Sequence, residues 1–165
     1  MTMSDEKPAG ILVHASCVAI GGYGIVLLGA PGSGKSDLAL RLIDSDGRGV
    51  GARRMTARLV GDDQIYLSLC EGRVMASAPE VLAGRLEIRG LGVVSAPYAR
   101  SPTPVICAAR LDAETPPDRS PDFTCQSTRL CGFELPELRL NPFAPSAPSV
   151  LRAAIVYFTG DGKIG

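Results

Sequence analysis

Apolar residues along the chain come in short runs of strand length, each closed by glycine, proline or charge. Residues 11–20, ILVHASCVAI, are rich in β-branched and small apolar side chains and read as a strand, followed by a glycine turn at 21–24. Ile25, Val26, Leu27 and Leu28 then form a continuous apolar run between glycines. That pattern fits a strand buried on both faces, as in an α/β sheet. From Lys35 to Asp44 the spacing becomes that of a helix, with Leu38 and Leu42 one turn apart. A glycine-rich loop separates the two, so the order is strand, loop, helix.

Downstream, strand character dominates. Residues 45–58 carry Arg48, Arg53, Arg54 and Arg58 among glycines and read as a surface loop or a frayed extension of the helix. Leu59 and Val60 lead into Gly61-Asp62-Asp63, residues 64–70 resume a strand, Glu71-Gly72 marks a hairpin turn, and residues 73–78 return. Residues 79–82 suit one helical turn, and 86–88 a strand entering Arg89-Gly90-Leu91-Gly92. Pro102 and Pro104 mark a loop before a buried strand at 105–111; residues 112–122, with three prolines and several charges, form another loop. Residues 133–140 and 150–158 are expected as two strands, or as a strand and a helix, kept apart by Pro142, Pro145 and Pro148. Residues 1–10 and 160–165 read as polar tails. No repeat and no long interior linker divides the chain, so residues 1–165 are expected to form one domain.

Composition narrows the function. The 165 residues are 45% hydrophobic and 21% charged, which is globular rather than disordered. Lys plus Arg and Asp plus Glu both number 17. That balance argues against a nucleic-acid partner, whose backbone is bound by a clustered basic excess. Cys17, Cys70, Cys107, Cys125 and Cys131 form no Cys-x-x-Cys pair, and His14 is the single histidine, which excludes a zinc site of the usual spacing. The cysteines read as reduced core residues of a cytosolic protein. The polar start and the lack of any apolar run of spanning length point away from a membrane and towards the cytoplasm.

Chemistry enters at residues 29–36. Gly29, Ala30, Pro31, Gly32, Ser33, Gly34, Lys35 and Ser36 fit the P-loop pattern G-x-x-x-x-G-K-[ST] in full, in the strand–loop–helix setting it requires. Glycines let backbone N–H groups turn inward around phosphate oxygens, and the helix N-terminus adds its dipole. Lys35 is expected on the β- and γ-phosphates and the Ser36 hydroxyl on Mg²⁺. Asp62 and Asp63 follow a short apolar stretch. One can contact the metal or its waters while the other takes a proton from an attacking hydroxyl. On a strand they would point to opposite faces; a solvated turn is the plain alternative. His14 either meets a phosphate, steadies the aspartates, or is an ordinary surface histidine. Glu87 and Arg89, two apart on a strand, share a side and read by themselves as an exposed ion pair.

Taken in order, His14-Ala15-Ser16, the loop at 29–36, Leu59-Val60-Gly61-Asp62-Asp63 and Leu86-Glu87-Ile88-Arg89-Gly90-Leu91-Gly92-Val93-Val94 resemble the catalytic domain of HPr kinase/phosphorylase. The resemblance covers about residues 11–111, and its Leu-Glu-Ile-Arg-Gly-Leu-Gly stretch is more specific than the P-loop. Gly132-Phe133-Glu134-Leu135-Pro136 is similar to a later family segment. The resemblance implies a P-loop α/β fold akin to phosphoenolpyruvate carboxykinase. It implies transfer of the γ-phosphoryl of ATP, with Mg²⁺, to a serine of HPr (the small carrier protein of the sugar phosphotransferase system) or of an HPr paralogue. It implies the reverse path too, in which inorganic phosphate removes the group as pyrophosphate.

Carried over, Asp63 or Asp62 would accept the proton, with the lean to Asp63. Lys35 would stabilise transferring charge, Ser36 and Glu87 would serve Mg²⁺, and His14 would sit beside the attacked phosphate. A mobile-loop arginine is also implied, Arg119 or alternatively Arg129, as is a homo-oligomer, hexameric in the family. The chain resembles a short form, found in some α-proteobacteria, without the separate N-terminal domain. Asn141-Pro142-Phe143-Ala144-Pro145-Ser146 stands where the family has a Lys/Arg-Gly-Arg-Asn-type loop that bears on both directions of the reaction. Residues 44–58 are longer than usual, and the C-terminal helices that grip HPr are shortened. Two other readings stay open: a P-loop kinase for a small metabolite, which has no reason to carry the 87–92 stretch, and a nucleotide-sensing regulatory module with little catalysis.

Overall fold

The computed structural model describes residues 10–160. The expected tails, apart from Gly10 and Gly160, lie outside the described residues. Strand β3 (Tyr23–Leu28) is the centre, as its unbroken apolar run requires: Gly24 to Leu28 are all buried. Ile25 and Leu27 point to one face of the sheet, Val26 and Leu28 to the other. The chain enters through β1 (Ile11–Val13) and β2 (Ser16–Ile20). The single strand expected at 11–20 is therefore two, because the chain changes partners at His14 and Ala15: β1 pairs antiparallel with a later strand, Ile65–Cys70, while β2 pairs antiparallel with β3.

After β3 comes α1 (Lys35–Asp44), then β4 (Ala57–Gly61), β5 (Ile65–Cys70), β6 (Arg73–Ser77), a single 3₁₀ turn (Glu80–Leu82), β7 (Arg85–Ile88) and β8 (Gly92–Ser95). The last third holds β9 (Thr103–Leu111), β10 (Ser127–Leu130), β11 (Phe133–Leu140) and α2 (Ala147–Phe158). Of the two readings open for residues 150–158, the helix is the one that forms; Pro148 sits in its first turn, where its missing N–H is no loss. The main sheet runs β1-β5-β6-β9-β3-β2-β4, with β11 parallel to the second half of β9 and β10 hydrogen-bonded to β11. β3, β9 and β11 are parallel, so their C-terminal ends open on the same edge. β7 and β8 form a separate hairpin.

Both faces of the sheet are covered. Leu38, Ala39 and Leu42 of α1 and Leu151 and Ile155 of α2 pack with Val18, Ile25, Leu27 and Ala109 on one side. On the other, the sheet curls so that Val13, Ile65, Leu67 and Ala76 close over Cys17, Val26 and Ala108. The fold is thus a mixed α/β fold around a curled sheet. Only Cys17 and Cys107 are core residues; Cys70, Cys125 and Cys131 are exposed, against the expectation that the cysteines are internal. Burial raises the Cys17 thiol far above its ordinary range, with Cys107 adding to the effect, and pushes Cys107 up to about 12.

Residues 45–56 form the exposed loop that their glycines and arginines predict, with residues 57–58 already in β4, and the loop is tied down from one side. Arg152 of α2 is buried, and its guanidinium donates to the carbonyls of Leu42 at 2.9 Å, Met55 at 3.2 Å and Ser45. Two of these belong to the end of α1, so a cation from α2 caps the negative end of the α1 dipole. Gly49, at φ +59, lies so close to Ala153 that a Cβ there would stand 2.4 Å from its backbone nitrogen.

Candidate active site

The loop between β3 and α1 has the shape its glycines allow. Gly32 and Gly34 have φ of 81° and 98°, a region L side chains avoid, and Gly34 stands at the helix N-cap without any side-chain cap. The first turn of α1 therefore keeps free N–H groups facing the loop, the arrangement that receives an anion. Lys35 folds back over it, with Nζ donating to the carbonyls of Gly29 at 2.7 Å and Ala30 at 3.2 Å. Ser33 Oγ is buried inside the loop and has no partner among the described residues.

β4 ends at Gly61, so Asp62 and Asp63 sit on a turn and not on a strand. A Cβ at Gly61 would stand 2.7 Å from Ile65 Cγ2 and 2.8 Å from the Gln64 carbonyl oxygen, which is why glycine occupies that place. Asp63 has φ of 67°, a conformation aspartate tolerates better than most residues. The turn brings both carboxylates to one cavity, not to opposite faces.

Asp62 is held on every side. Its Oδ1 accepts the Ser36 hydroxyl at 2.9 Å and the Ser16 hydroxyl at 3.1 Å, and its Oδ2 accepts the Glu87 N–H at 3.1 Å. Ser16 Oγ in turn accepts the Asp63 N–H at 3.2 Å. The Asp63 side chain is exposed and accepts no hydrogen bond among the described residues. One carboxylate is thus fixed by three other segments of the chain and its neighbour is left open.

Glu87 and Arg89 arrive on the β7–β8 hairpin. Leu86 is buried against α1's cluster, and the segment after β8 is hydrogen-bonded to β4, Leu59 N–H to the Pro97 carbonyl at 2.8 Å and Ala99 N–H to the Leu59 carbonyl at 2.8 Å. Both side chains line the cavity and make no ion pair with each other among the described residues, in place of the ion pair expected from spacing alone. The last wall is the loop after β11. Arg41 of α1 donates to the carbonyls of Pro142 and Ala144 and is itself paired with Asp37 at 3.0 Å. Phe143 is thereby held beside Gly34.

The result is an open cavity of about 500 Å³, within the range of small-molecule sites. Lys35, Ser36, Asp62, Asp63 and Glu87 all line it, together with Gly32 and Gly34 of the loop. Ser16, Arg89 and Phe143 join them, though none was assigned a part from residue type and spacing. His14 does not line the cavity: it is exposed at the break between β1 and β2, and Ser16, two residues on, reaches Asp62 instead. Arg119 is not brought in either. It sits exposed on the loop after β9, whose Pro117, Pro121 and Phe123 lie over α2. Arg129 is on β10, with Glu134 at 3.9 Å.

Ser36 Oγ and Asp62 Oδ1 are adjacent hard oxygens, with the Glu87 side chain on the same cavity. That donor set suits Mg²⁺, which takes one or two carboxylates plus substrate phosphates in preference to an all-protein cage. Among the described residues no three His, Cys, Asp or Glu side chains gather into such a cage. No helix there is long and apolar enough to cross a membrane.

The family model described as HPr Serine kinase C-terminal domain matches residues 9–99. An HPr kinase/phosphorylase from Clostridium tetani is 40% identical over 98 residues, 59% of this chain and 29% of that protein. One from a Thermoanaerobacter species is 40% identical over 92 residues, 54% of this chain and 27% of that protein. The chain thus spans under a third of the length of these curated relatives. The solved structure described as the Hpr(Ser) kinase/phosphatase from Coxiella burnetii shares the fold, with a TM-score of 0.71 at 23% identity over 90% of this chain and 96% of that one.

Proposed function

The chain belongs to the HPr serine kinase C-terminal domain family, and from that premise we propose that it transfers the γ-phosphoryl of ATP to a serine of HPr or an HPr paralogue. The observation that carries the reading is the Ser36–Asp62 hydrogen bond at 2.9 Å, which ties the P-loop to the aspartate turn inside one cavity. A phosphate cradle and a base candidate are thereby held within reach of one acceptor hydroxyl.

In this reading the loop N–H groups and Lys35 receive the phosphates. Ser36 and Asp62, with Glu87, hold Mg²⁺, which when bound offsets phosphate charge and helps to orient the chain of phosphates. Asp62 has its oxygens engaged by Ser16, Ser36 and Glu87 and so acts as a fixed post. Asp63, the open carboxylate, takes the proton of the attacking serine as its oxygen bonds to the γ-phosphorus and the bond to the bridging β–γ oxygen breaks. Arg89, rather than Arg119 or Arg129, faces the departing charge across from Gly32. The transition state is loose, so positioning and charge neutralisation dominate the rate. Kinship of the fold with phosphoenolpyruvate carboxykinase, action of residues 1–165 as one unit, and self-association into a homo-oligomer belong to the same reading.

The test is to mix the protein with γ-labelled ATP, Mg²⁺ and HPr. Label on an HPr serine is expected. Tight ATP binding with no label on HPr would overturn the kinase reading in favour of a nucleotide sensor. Phosphorylated HPr with inorganic phosphate then asks whether pyrophosphate is released, the reverse path on which the loop at 141–146 bears.

A further inference from the structure

A P-loop recognises phosphates, and phosphates alone do not distinguish a nucleotide from a bare polyphosphate. Something else in the cavity must meet the base. Most of the wall is polar or glycine, and Phe143 is its one aromatic side chain among the described residues.

Phe143 is 57% exposed, yet it is not loose. Its N–H donates to Asn141 Oδ1 at 3.0 Å, and the carbonyls on either side of it, of Pro142 and Ala144, accept from Arg41. Arg41 is anchored on α1 by Asp37. The edge of the ring rests against Gly34: a Cβ there would be 3.2 Å from Cε1 and Cζ. A large apolar ring left in solvent normally finds cover, and here three hydrogen bonds to its loop hold it uncovered at the mouth of the phosphate cradle. A flat π face fixed at such a place suits the flat face of a nucleobase, which aromatic side chains stack without reading sequence.

We infer that Phe143 is the base platform of this site: it stacks on the base of the bound nucleoside triphosphate and so selects nucleotides over inorganic polyphosphates. The inference rests on the P-loop reading above. Arg41 is the positioning residue that holds the platform, and Gly34 is the clearance that lets the ring approach.

The chain contains no tryptophan, which makes the test direct. Binding of ATP and of tripolyphosphate, each with Mg²⁺, is measured on the full chain and on Phe143→Ala. ATP affinity is expected to fall about tenfold, equivalent to about 1.4 kcal/mol, while tripolyphosphate affinity stays within about twofold. Phe143→Trp supplies a lone indole whose emission should change on adding ATP and not on adding tripolyphosphate. Equal loss of both ligands would make Phe143 a prop of the loop and overturn the inference. So would unchanged binding of both, or a raised KM for HPr with ATP binding intact. If the unaltered chain binds neither ATP nor tripolyphosphate, the P-loop reading itself falls, and this inference with it.

Discussion

Ser36 and Asp62, 26 residues apart in sequence, share a hydrogen bond of 2.9 Å. The first turn of α1 and the end of β4 are thus set against each other by two side chains that would otherwise face water. The same Asp62 carboxylate also accepts from Ser16 and from the Glu87 N–H. Neutralising it should therefore cost more than one contact.

Asp62→Asn and Asp63→Asn should fail in different ways. Asp62→Asn loses the carboxylate that Ser36 and Ser16 meet, so Mg²⁺-dependent ATP binding should weaken together with turnover. Asp63→Asn leaves that network in place, so ATP binding should hold while transfer to HPr drops by about 10²–10⁴-fold, the usual loss of a general base. Calorimetric ATP titration beside single-turnover label transfer separates them. Wild-type transfer by both variants would remove the aspartate pair from the chemistry.

Gly61→Ala tests the turn that delivers the pair. The added methyl would meet Ile65 and the Gln64 carbonyl at under 3 Å, and backbone does not yield as a side-chain end does. Asp62 and Asp63 should move with the turn, lowering transfer to HPr at least about tenfold, because catalytic geometry is sensitive to shifts near 1 Å. Retained helix content by circular dichroism, with lost transfer, is the expected pair of results.

Much of this was legible along the chain, for a physical reason in each case. β3 and α1 announce themselves because an unbroken apolar run and a helical repeat leave few alternatives, and the P-loop between them is a full eight-residue pattern. The Glu71-Gly72 turn was legible because apolar strands flank it. The same device at Cys131 and Gly132, both at positive φ, joins β10 to β11, but Ser127-Thr128-Arg129-Leu130 is too polar to stand out as a strand. Ser16 and Phe143 were hidden for another reason. Serine in an apolar strand and phenylalanine among prolines look like filler, and only the curl of the sheet and the grip of Arg41 bring them to the cavity. Arg119 shows the converse: a proline-rich loop signals exposure, but not which way the loop turns.

Arg152→Met should destabilise the fold by about 3 kcal/mol, since a buried cation bonded to three carbonyls is replaced by none and the carbonyls stay behind. Burial already holds this guanidinium's pKa below its ordinary value, partly offset by Asp46. For a chain of this size the melting temperature should drop by about 10 °C. Arg152→Lys should recover only part of it, lacking the planar fork. An urea midpoint equal to wild type for Arg152→Met would show that the cap of α1 carries no stability.

The two buried thiols predict how stability responds to base. Burial pushes Cys107 from its ordinary 9.0 up to about 12, and Cys17 is raised further. Between those values the unfolded chain has lost its thiol protons and the folded chain keeps them. The folded state then binds more protons, so stability is fully present below about pH 9 and falls as pH rises towards 12, by up to about 1.4 kcal/mol per pH unit for each thiol. Urea midpoints above about pH 9 should fall more steeply for the wild-type chain than for Cys107→Ala, although the variant starts lower because of its cavity. Below pH 9 the two curves should run parallel. Thiol labelling checks the premise independently: Cys70, Cys125 and Cys131 are exposed and should react in the native state, while Cys17 and Cys107 should react only after denaturation. Parallel curves throughout, or rapid labelling of Cys107 in native protein, would mean that the sheet opens around β9 and that Cys107 is not the buried core residue described above.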